Sequence, residues 1–206
     1  MYYLVDMYND KTNFIDGIDS DTCQKILNSS TIISETLEFY YLGKCVSDSF
    51  DTLIQWSYSA NPSSNYIMRN LHTAERLVRG FLFELRTCLD HMETKIKQDY
   101  GKTSEFLKVF EDSTHATYNA HPEYAFTYHL RNVSQHCQNI VHGFNSPTGI
   151  GISCNVQKLL NEYDKWKPVD KDYMINSGEN VDLLKTFSVA FQAFNEALIP
   201  VIRYLL

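Results

Sequence analysis

The sequence is poor in the residues that end helices and form turns, with 8 glycines and 5 prolines among 206 residues. Their scarcity argues against a turn-rich β-sandwich and favours a mainly helical chain. Charged residues make up 21% and aromatic residues 14% of the chain, a balance that excludes general disorder. The length suits one domain with a sizeable hydrophobic core.

Long apolar runs and a secretion signal are also missing. The first ten residues, MYYLVDMYND, have no basic region, and the final segment ALIPVIRYLL is too short to span a bilayer and contains Arg203. The five cysteines are dispersed and form no CxxC pair. This usage is typical of reduced thiols, so we expect a cytoplasmic protein with no membrane partner.

Basic charge is scarce and unevenly placed. The net charge of −7 excludes a broad, non-specific binder of nucleic acids. Only residues 61–108 are net basic, with 8 basic and 6 acidic residues. On a helical wheel of about 100° per residue, four of the chain's six arginines lie opposite an apolar face. This arginine stripe consists of Arg69, Arg76, Arg79 and Arg86.

Helical patterns dominate from Asp19 onward, so we predict an all-α fold. Residues 1–18 contain two short apolar runs and are predicted to form a small hairpin or an arm, and residues 19–206 a single helical domain. Loops are predicted at 61–65, 143–151 and 167–178. The predicted helices cover 19–27, 34–58, 66–99, 103–118, a segment starting at Pro122, 155–166, and 180 to the end with Pro200 as a kink or break.

Two segments share the spacing of an arginine, four residues and a histidine. They are Arg131 to His136 and Arg86 to His91, and six arginines and seven histidines predict only about 0.2 such pairs by chance. A histidine exchanges protons near neutral pH, and an arginine holds phosphate oxygens through two hydrogen bonds. Together they suit cleavage of RNA, in which the 2′-hydroxyl is the nucleophile and no metal or cofactor is needed.

The spacing does not by itself bring the two side chains of one pair together. Positions five apart on a regular helix point about 140° away from each other. Two copies of the helix facing each other, or an irregular helix, would each solve this problem. Metal chemistry is not expected, because the five histidines between residues 115 and 142 include no pair spaced i, i+4 and no matching set of Cys or carboxylate ligands.

The segment LRNVSQH at 130–136 resembles the RNxxxH motif of the HEPN superfamily (higher eukaryotes and prokaryotes nucleotide-binding). The resemblance implies a helical bundle that dimerises, with a composite ribonuclease site that leaves 2′,3′-cyclic phosphate ends. It implies that His136 is the general acid and base, Arg131 the phosphate ligand and Asn132 a positioning residue. Arg86 and His91 form a secondary candidate that lacks the asparagine. Many members are toxins or antiphage effectors, so an antitoxin or defence-complex partner is also implied.

One branch of the family is regulated by a partner that modifies a tyrosine two residues after the histidine. Here Gln138 and Glu93 occupy the corresponding positions, which does not favour that regulation. In the arginine stripe, Arg69, Arg76 and Arg79 are candidate RNA-binding residues, and the alternative is a solvated or carboxylate-paired face. Tyr128 and His129 are further candidate substrate contacts.

Two other functions compete with the ribonuclease. The first is a catalytically silent HEPN-like subunit that binds a nucleotide, RNA or a protein, and the acidic net charge suits it. The second is a helical scaffold that has no link to nucleic acid. Motif pairs of a dimer that face one cleft would support the enzyme, whereas pairs that point apart would support the scaffold.

Overall fold

A computed structural model describes residues 2–8, 11–60, 67–136, 139–144 and 151–205, with only the backbone described for 2–16 and for 67 and 68. Its described residues form seven helices and two small antiparallel sheets, so the all-α prediction is confirmed. The predicted loop at 61–65, most of the predicted loop at 143–151, and the motif-flanking residues Cys137 and Gln138 lie outside the described residues.

The N-terminal segment is a hairpin, one of the two forms predicted for it. Strands β1 (Tyr2–Tyr8) and β2 (Lys11–Ile18) pair antiparallel, with Tyr2 opposite Ile18 and Tyr8 opposite Lys11. The register shifts between Leu4 and Val5, which marks an irregularity in β1.

The first helix is longer than predicted. Helix α1 (Ser20–Ser59) runs without a break, so the separate helices predicted at 19–27 and 34–58 were wrong. Asp19 caps its start by accepting a hydrogen bond from the backbone N–H of Thr22 at 2.8 Å. The polar stretch in between contains no glycine or proline, and the Thr31 hydroxyl bonds back to the carbonyl of Leu27 at 3.0 Å. Polar residues alone therefore did not end the helix.

Four further helices match their predictions to within a few residues. They are α2 (Ile67–Asp99), α3 (Glu105–Ala120), α4 (Pro122–His136) and α7 (Leu183–Leu205). Ser104 caps one of them, α3, by accepting from the N–H of Leu107 at 3.2 Å, and Pro122 is the first residue of α4, as predicted. Gly101 has a φ of 97° just beyond the end of α2, where a residue without a Cβ is favoured. Helix α7 continues through Pro200.

Helix α2 lies at the centre of the bundle. It packs along α1 and also contacts α3 and α4, while α3 and α4 pack on α7. Phe81 shows how the core is joined, since its ring lies 5.5 Å from Phe50 of α1 and 5.0 Å from Phe187 of α7. The predicted apolar face of α2 is buried except for Leu71 and Leu77, which are half-buried.

The C-terminal half contains elements that the sequence did not predict. Strands β3 (Gly143–Phe144), β4 (Ile152–Asn155) and β5 (Asn180–Asp182) form a small sheet in the order β3-β4-β5. Helix α5 (Val156–Glu162) is shorter than predicted, and α6 (Pro168–Asn176) replaces a predicted loop, which was therefore wrong. Pro168 at the start of α6 and the Asp170 carboxylate, which accepts from the N–H of Lys167 at 3.0 Å, explain why this segment is helical.

The cysteines of the bundle core are not activated. Cys88 and Cys154 are buried, and burial raises the pKa of each thiol to about 12. Both are therefore protonated at neutral pH. Among the described residues, no helix is long and apolar enough to cross a bilayer.

We expect His142 to make the stability of the small sheet depend on pH. Its Nδ1 accepts the backbone N–H of Asn155 at 2.9 Å, and burial followed by the nearby charge of Lys158 lowers its pKa below 6.5. Below about pH 6.5 the unfolded chain therefore binds more protons than the folded chain. The stability that comes from neutral His142 is complete above about pH 6.5 and is lost as the pH falls. Urea unfolding at pH 7.5 and 5.5 is expected to show a larger loss for the parent than for His142→Asn, which keeps an acceptor. Equal losses in the two proteins would contradict this role.

Candidate functional site

The predicted motif lies in the last two turns of α4. Leu130 and Val133 are buried in the core and thereby set the rotation of the helix. Arg131 and Asn132 are half-buried and His136 is exposed at the last residue of the helix. His136 is therefore open to solvent at the end of α4, whereas Arg131 and Asn132 are partly covered.

The guanidinium of Arg131 extends along the helix toward the histidine. Its Nη1 donates to Oε1 of Gln135 at 2.7 Å, and Gln135 directly precedes His136. The Nε of Arg131 is buried and has no hydrogen-bond partner among the described residues. The hydrogen bond to Gln135 places the positive charge over the last turn of α4.

Helix α4 is unbroken through the motif, so it divides the motif residues between two directions. Arg131 and His136 diverge by about 140°, whereas Asn132 and His136 share one face. His129 lies on that same face, within about 20° of His136 and about 10 Å away along the axis. The face that ends in His136 therefore continues back to His129.

An ion pair on α2 holds the end of α4. Glu75 binds Nε of Arg79 at 2.7 Å and accepts the backbone N–H groups of Ile140 and Val141 at 2.8 to 3.1 Å. Arg79 also donates to the carbonyl of Ser134 in the last turn of α4. Because these hydrogen-bond partners are groups of the protein, Arg79 helps to hold the end of α4 against α2.

The other residues of the arginine stripe differ in what they contact. Arg69 and Arg76 are exposed, whereas Arg86 is half-buried. Arg86 donates from Nε to Oδ2 of Asp90 at 3.0 Å, and its Nη2 forms a salt bridge with Oδ1 of the same carboxylate at 2.9 Å. Its guanidinium also lies 4.4 Å from the centre of the Tyr128 ring, a cation–π contact between α2 and α4. Arg69 and Arg76 of the stripe are therefore exposed, whereas Arg79 and Arg86 bind neighbouring groups of the protein.

A cleft of about 370 Å³ opens beside Arg86. We call it the three-helix cleft, because α2, α3 and α4 line it. Arg86 and Glu93 stand on its α2 wall, Glu111 and Tyr118 on its α3 wall. The α4 wall consists of Tyr124, Tyr128 and His129. The secondary candidate Arg86 therefore lies in a cavity, next to residues of the helix that carries the motif.

His129 is oriented in this cleft by a buried carboxylate. Its Nδ1 lies 2.7 Å from Oδ2 of Asp170 on α6, and Asp170 is 0% exposed. A carboxylate in this position favours the proton on Nδ1 and leaves Nε2 for a ligand. The sequence offered no signal for this pair, because 41 residues separate its members and Asp170 was predicted to lie in a loop.

The structure does not bring Arg86 and His91 together. His91 is exposed and lines a different groove, between α1 and α2, with Glu38 and Lys95. The five-residue spacing on a regular helix accounts for this separation. Within the described ranges, no group of three or more His, Cys, Asp and Glu side chains is arranged to hold a metal ion.

Comparisons with protein-family models, with curated proteins and with solved structures found no match to this chain. The function is therefore inferred from the residues of α4 and from the cleft beside them.

Proposed function

We propose that the protein is a metal-independent endoribonuclease of the HEPN type, with Arg131, Asn132 and His136 as its catalytic residues. The observation that carries this proposal is the end of α4, where Asn132 and His136 share an accessible face and the Arg131 guanidinium extends to the residue before His136. These are the groups that phosphodiester cleavage in RNA requires.

The reaction follows from the chemistry of these side chains. His136 removes the proton of the ribose 2′-hydroxyl while the 2′-oxygen forms a bond to phosphorus. Arg131 binds the phosphate oxygens on which negative charge accumulates. The bond from phosphorus to the 5′-oxygen then breaks, and that oxygen takes up a proton. The products are a 2′,3′-cyclic phosphate and a 5′-hydroxyl.

A second copy of the chain completes the proposed site. Because Arg131 and His136 of one α4 diverge by about 140°, a single helix does not present both to one phosphate. Two copies facing each other combine the residues of both motifs at one phosphate. One histidine then takes the proton and the other returns it. The proposed state is therefore a homodimer that acts on RNA, in the setting of a toxin or an antiphage effector. Arg69 and Arg76 are exposed on α2 and are the stripe residues available to bind the RNA backbone.

A catalytically silent binding subunit is the second candidate, and the first half of α1 favours it. Ile26, Ile33, Leu37 and Tyr40 recur at intervals of seven, four and three residues and are 44 to 60% exposed. Such spacing suits the apolar seam of a coiled coil, so the expected partner is an amphipathic helix of an antitoxin or defence-complex protein. This surface lies far from the end of α4, since Tyr100 at the other end of α2 bonds to Glu35 of α1.

Cleavage of single-stranded RNA in EDTA tests the proposal. We expect the dimeric protein to cut RNA with the chelator present and to leave 2′,3′-cyclic phosphate ends. An RNA with a single 2′-deoxy nucleotide at the cut position is expected to resist at that position, because the nucleophile is missing. Cleavage of that substrate at the same bond, or dependence on added Mg²⁺, would contradict the mechanism. RNA or partner binding without any cleavage would favour the silent subunit.

A further inference from the structure

The three-helix cleft has no role in the proposed reaction, since neither Arg131 nor His136 lines it. Its volume of about 370 Å³ falls within the range of small-ligand sites, roughly 300–1,000 Å³. It also contains a polar atom that lacks a partner. The hydroxyl of Tyr124 is buried, and it has no hydrogen-bond partner among the described residues although Tyr124 lines the cleft. A buried hydroxyl of this kind is satisfied when a ligand supplies the missing hydrogen bond.

The cleft presents aromatic faces to a flat ligand. The rings of Tyr118, Tyr128 and His129 contact one another edge-on, with centres 5.6 to 6.2 Å apart. Edge-on contacts leave part of a ring face uncovered, although the Arg86 guanidinium already covers one face of Tyr128. Bases of single-stranded nucleic acids stack on such side chains.

Two charged groups of the cleft, Arg86 and Glu111, have the chemistry to pair with the edges of one base. Arg86 uses Nε and Nη2 for Asp90, and its Nη1 makes no hydrogen bond within the described residues. Guanidinium N–H groups pair with the O6 and N7 acceptors of guanine. Glu111 on the α3 wall presents a carboxylate, which accepts from N–H groups such as those at N1 and N2 of guanine. Adenine, cytosine and uracil do not combine these two acceptors with two adjacent donors.

The cleft lies close enough to the motif for one RNA strand to contact both. His129 and His136 share one face of α4 and are about 10 Å apart along the axis. A short stretch of single-stranded RNA spans that distance. Asp170 holds Nδ1 of His129 and thereby leaves Nε2 for a ligand.

We propose that the three-helix cleft binds a guanine base of single-stranded RNA close to the bond that is cut. Arg86 and Glu111 bind the two edges of the base, the ring of Tyr118 stacks on it, and Tyr124 and His129 supply further hydrogen bonds. This role in RNA rests on the proposed ribonuclease function, whereas binding of the base itself does not.

Calorimetric titration of the full chain with GMP, AMP, CMP and UMP in EDTA tests the cleft without any cleavage. We expect GMP to bind about tenfold or more tightly than the other three, since each bidentate pair contributes that order of discrimination. Glu111→Gln is expected to weaken GMP binding about tenfold, because the amide offers one acceptor in place of two. Glu105→Gln, an exposed glutamate on the same helix, is the matched control and is expected to bind GMP like the parent.

Equal binding of all four nucleotides, or no binding by the folded parent, would overturn the assignment of guanine. Loss of GMP binding in Glu105→Gln as well as Glu111→Gln would overturn the placement in the cleft. The outcome is separable from that of the cleavage assay. If the protein binds GMP but cuts no RNA, the guanine site is supported and the ribonuclease proposal is contradicted. If it cuts RNA but shows no preference for GMP, the ribonuclease is supported and the guanine site is contradicted.

Discussion

His136→Ala is expected to lower the rate of RNA cleavage by about 10²–10⁴-fold, the usual contribution of a general acid or base. His136 is exposed at the end of α4, so its replacement removes the proton carrier and leaves the core intact. The measurement is the cleavage rate in EDTA for parent and variant proteins prepared in the same way. Thermal unfolding of both proteins checks that the fold is retained.

His91→Ala is the matched comparison for this experiment. His91 has the same spacing from an arginine, but it faces the groove between α1 and α2. We expect its replacement to change the rate by less than about twofold, as for a surface position outside the site. Loss of activity in both variants would mean that the two motifs cooperate. Unchanged activity in His136→Ala would show that the cleavage has another origin.

Glu75→Ala is expected to destabilise the fold by about 3 kcal/mol, which lowers the melting temperature by roughly 6–12 °C in a chain of this size. The side chain of Glu75 is 14% exposed and accepts hydrogen bonds from Arg79, Ile140 and Val141. Its removal leaves two backbone N–H groups without their acceptor and takes the Glu75 carboxylate away from Arg79. The loss of a charged hydrogen-bonding group at a part-buried site is costly for this reason.

Glu84→Ala is the control for that variant. Glu84 is also a half-buried glutamate of α2, and it makes no hydrogen bond or ion pair within the described residues. We expect its replacement to change the free energy of unfolding by less than about 0.5 kcal/mol. Similar losses in the two variants would indicate that the helix propensity or charge of α2 matters, and would contradict the role of Glu75 in holding the end of α4.

The elements that were predicted well are those with strong internal periodicity. The apolar face of α2 recurs from Leu71 to Ile96, over about seven turns, and Pro122 marks the start of α4 by its own chemistry. The errors concern short elements and one junction. The sequence predicts a break near position 30, where no glycine or proline is present, and a loop at Pro168, which in fact begins α6. Strands β3, β4 and β5 have two to four residues each, too few for a local pattern.

The residues of the candidate site also fall into those that a local pattern identified and those that only the packing of helices revealed. Arg131, Asn132 and His136 are close in sequence, so a motif identified them and the helix then determined their directions. Arg86 was identified with His91, but the structure instead places it against Tyr128 and beside the α4 wall of the cleft. Asp170 was not a candidate, and it is the residue that orients His129.

The sequence by itself determined the helical class, the apolar faces of the long helices and the residues of the α4 motif. Each of these depends on neighbours within one or two helical turns, where the geometry of the backbone is regular. Only the tertiary structure decided that Glu75 and Arg79 hold the end of α4, that Asp170 meets His129, and that three helices enclose a cleft. These contacts join residues 41 to 66 positions apart. Which of many distant side chains meet is determined by how whole helices pack, and that information is not contained in any local pattern.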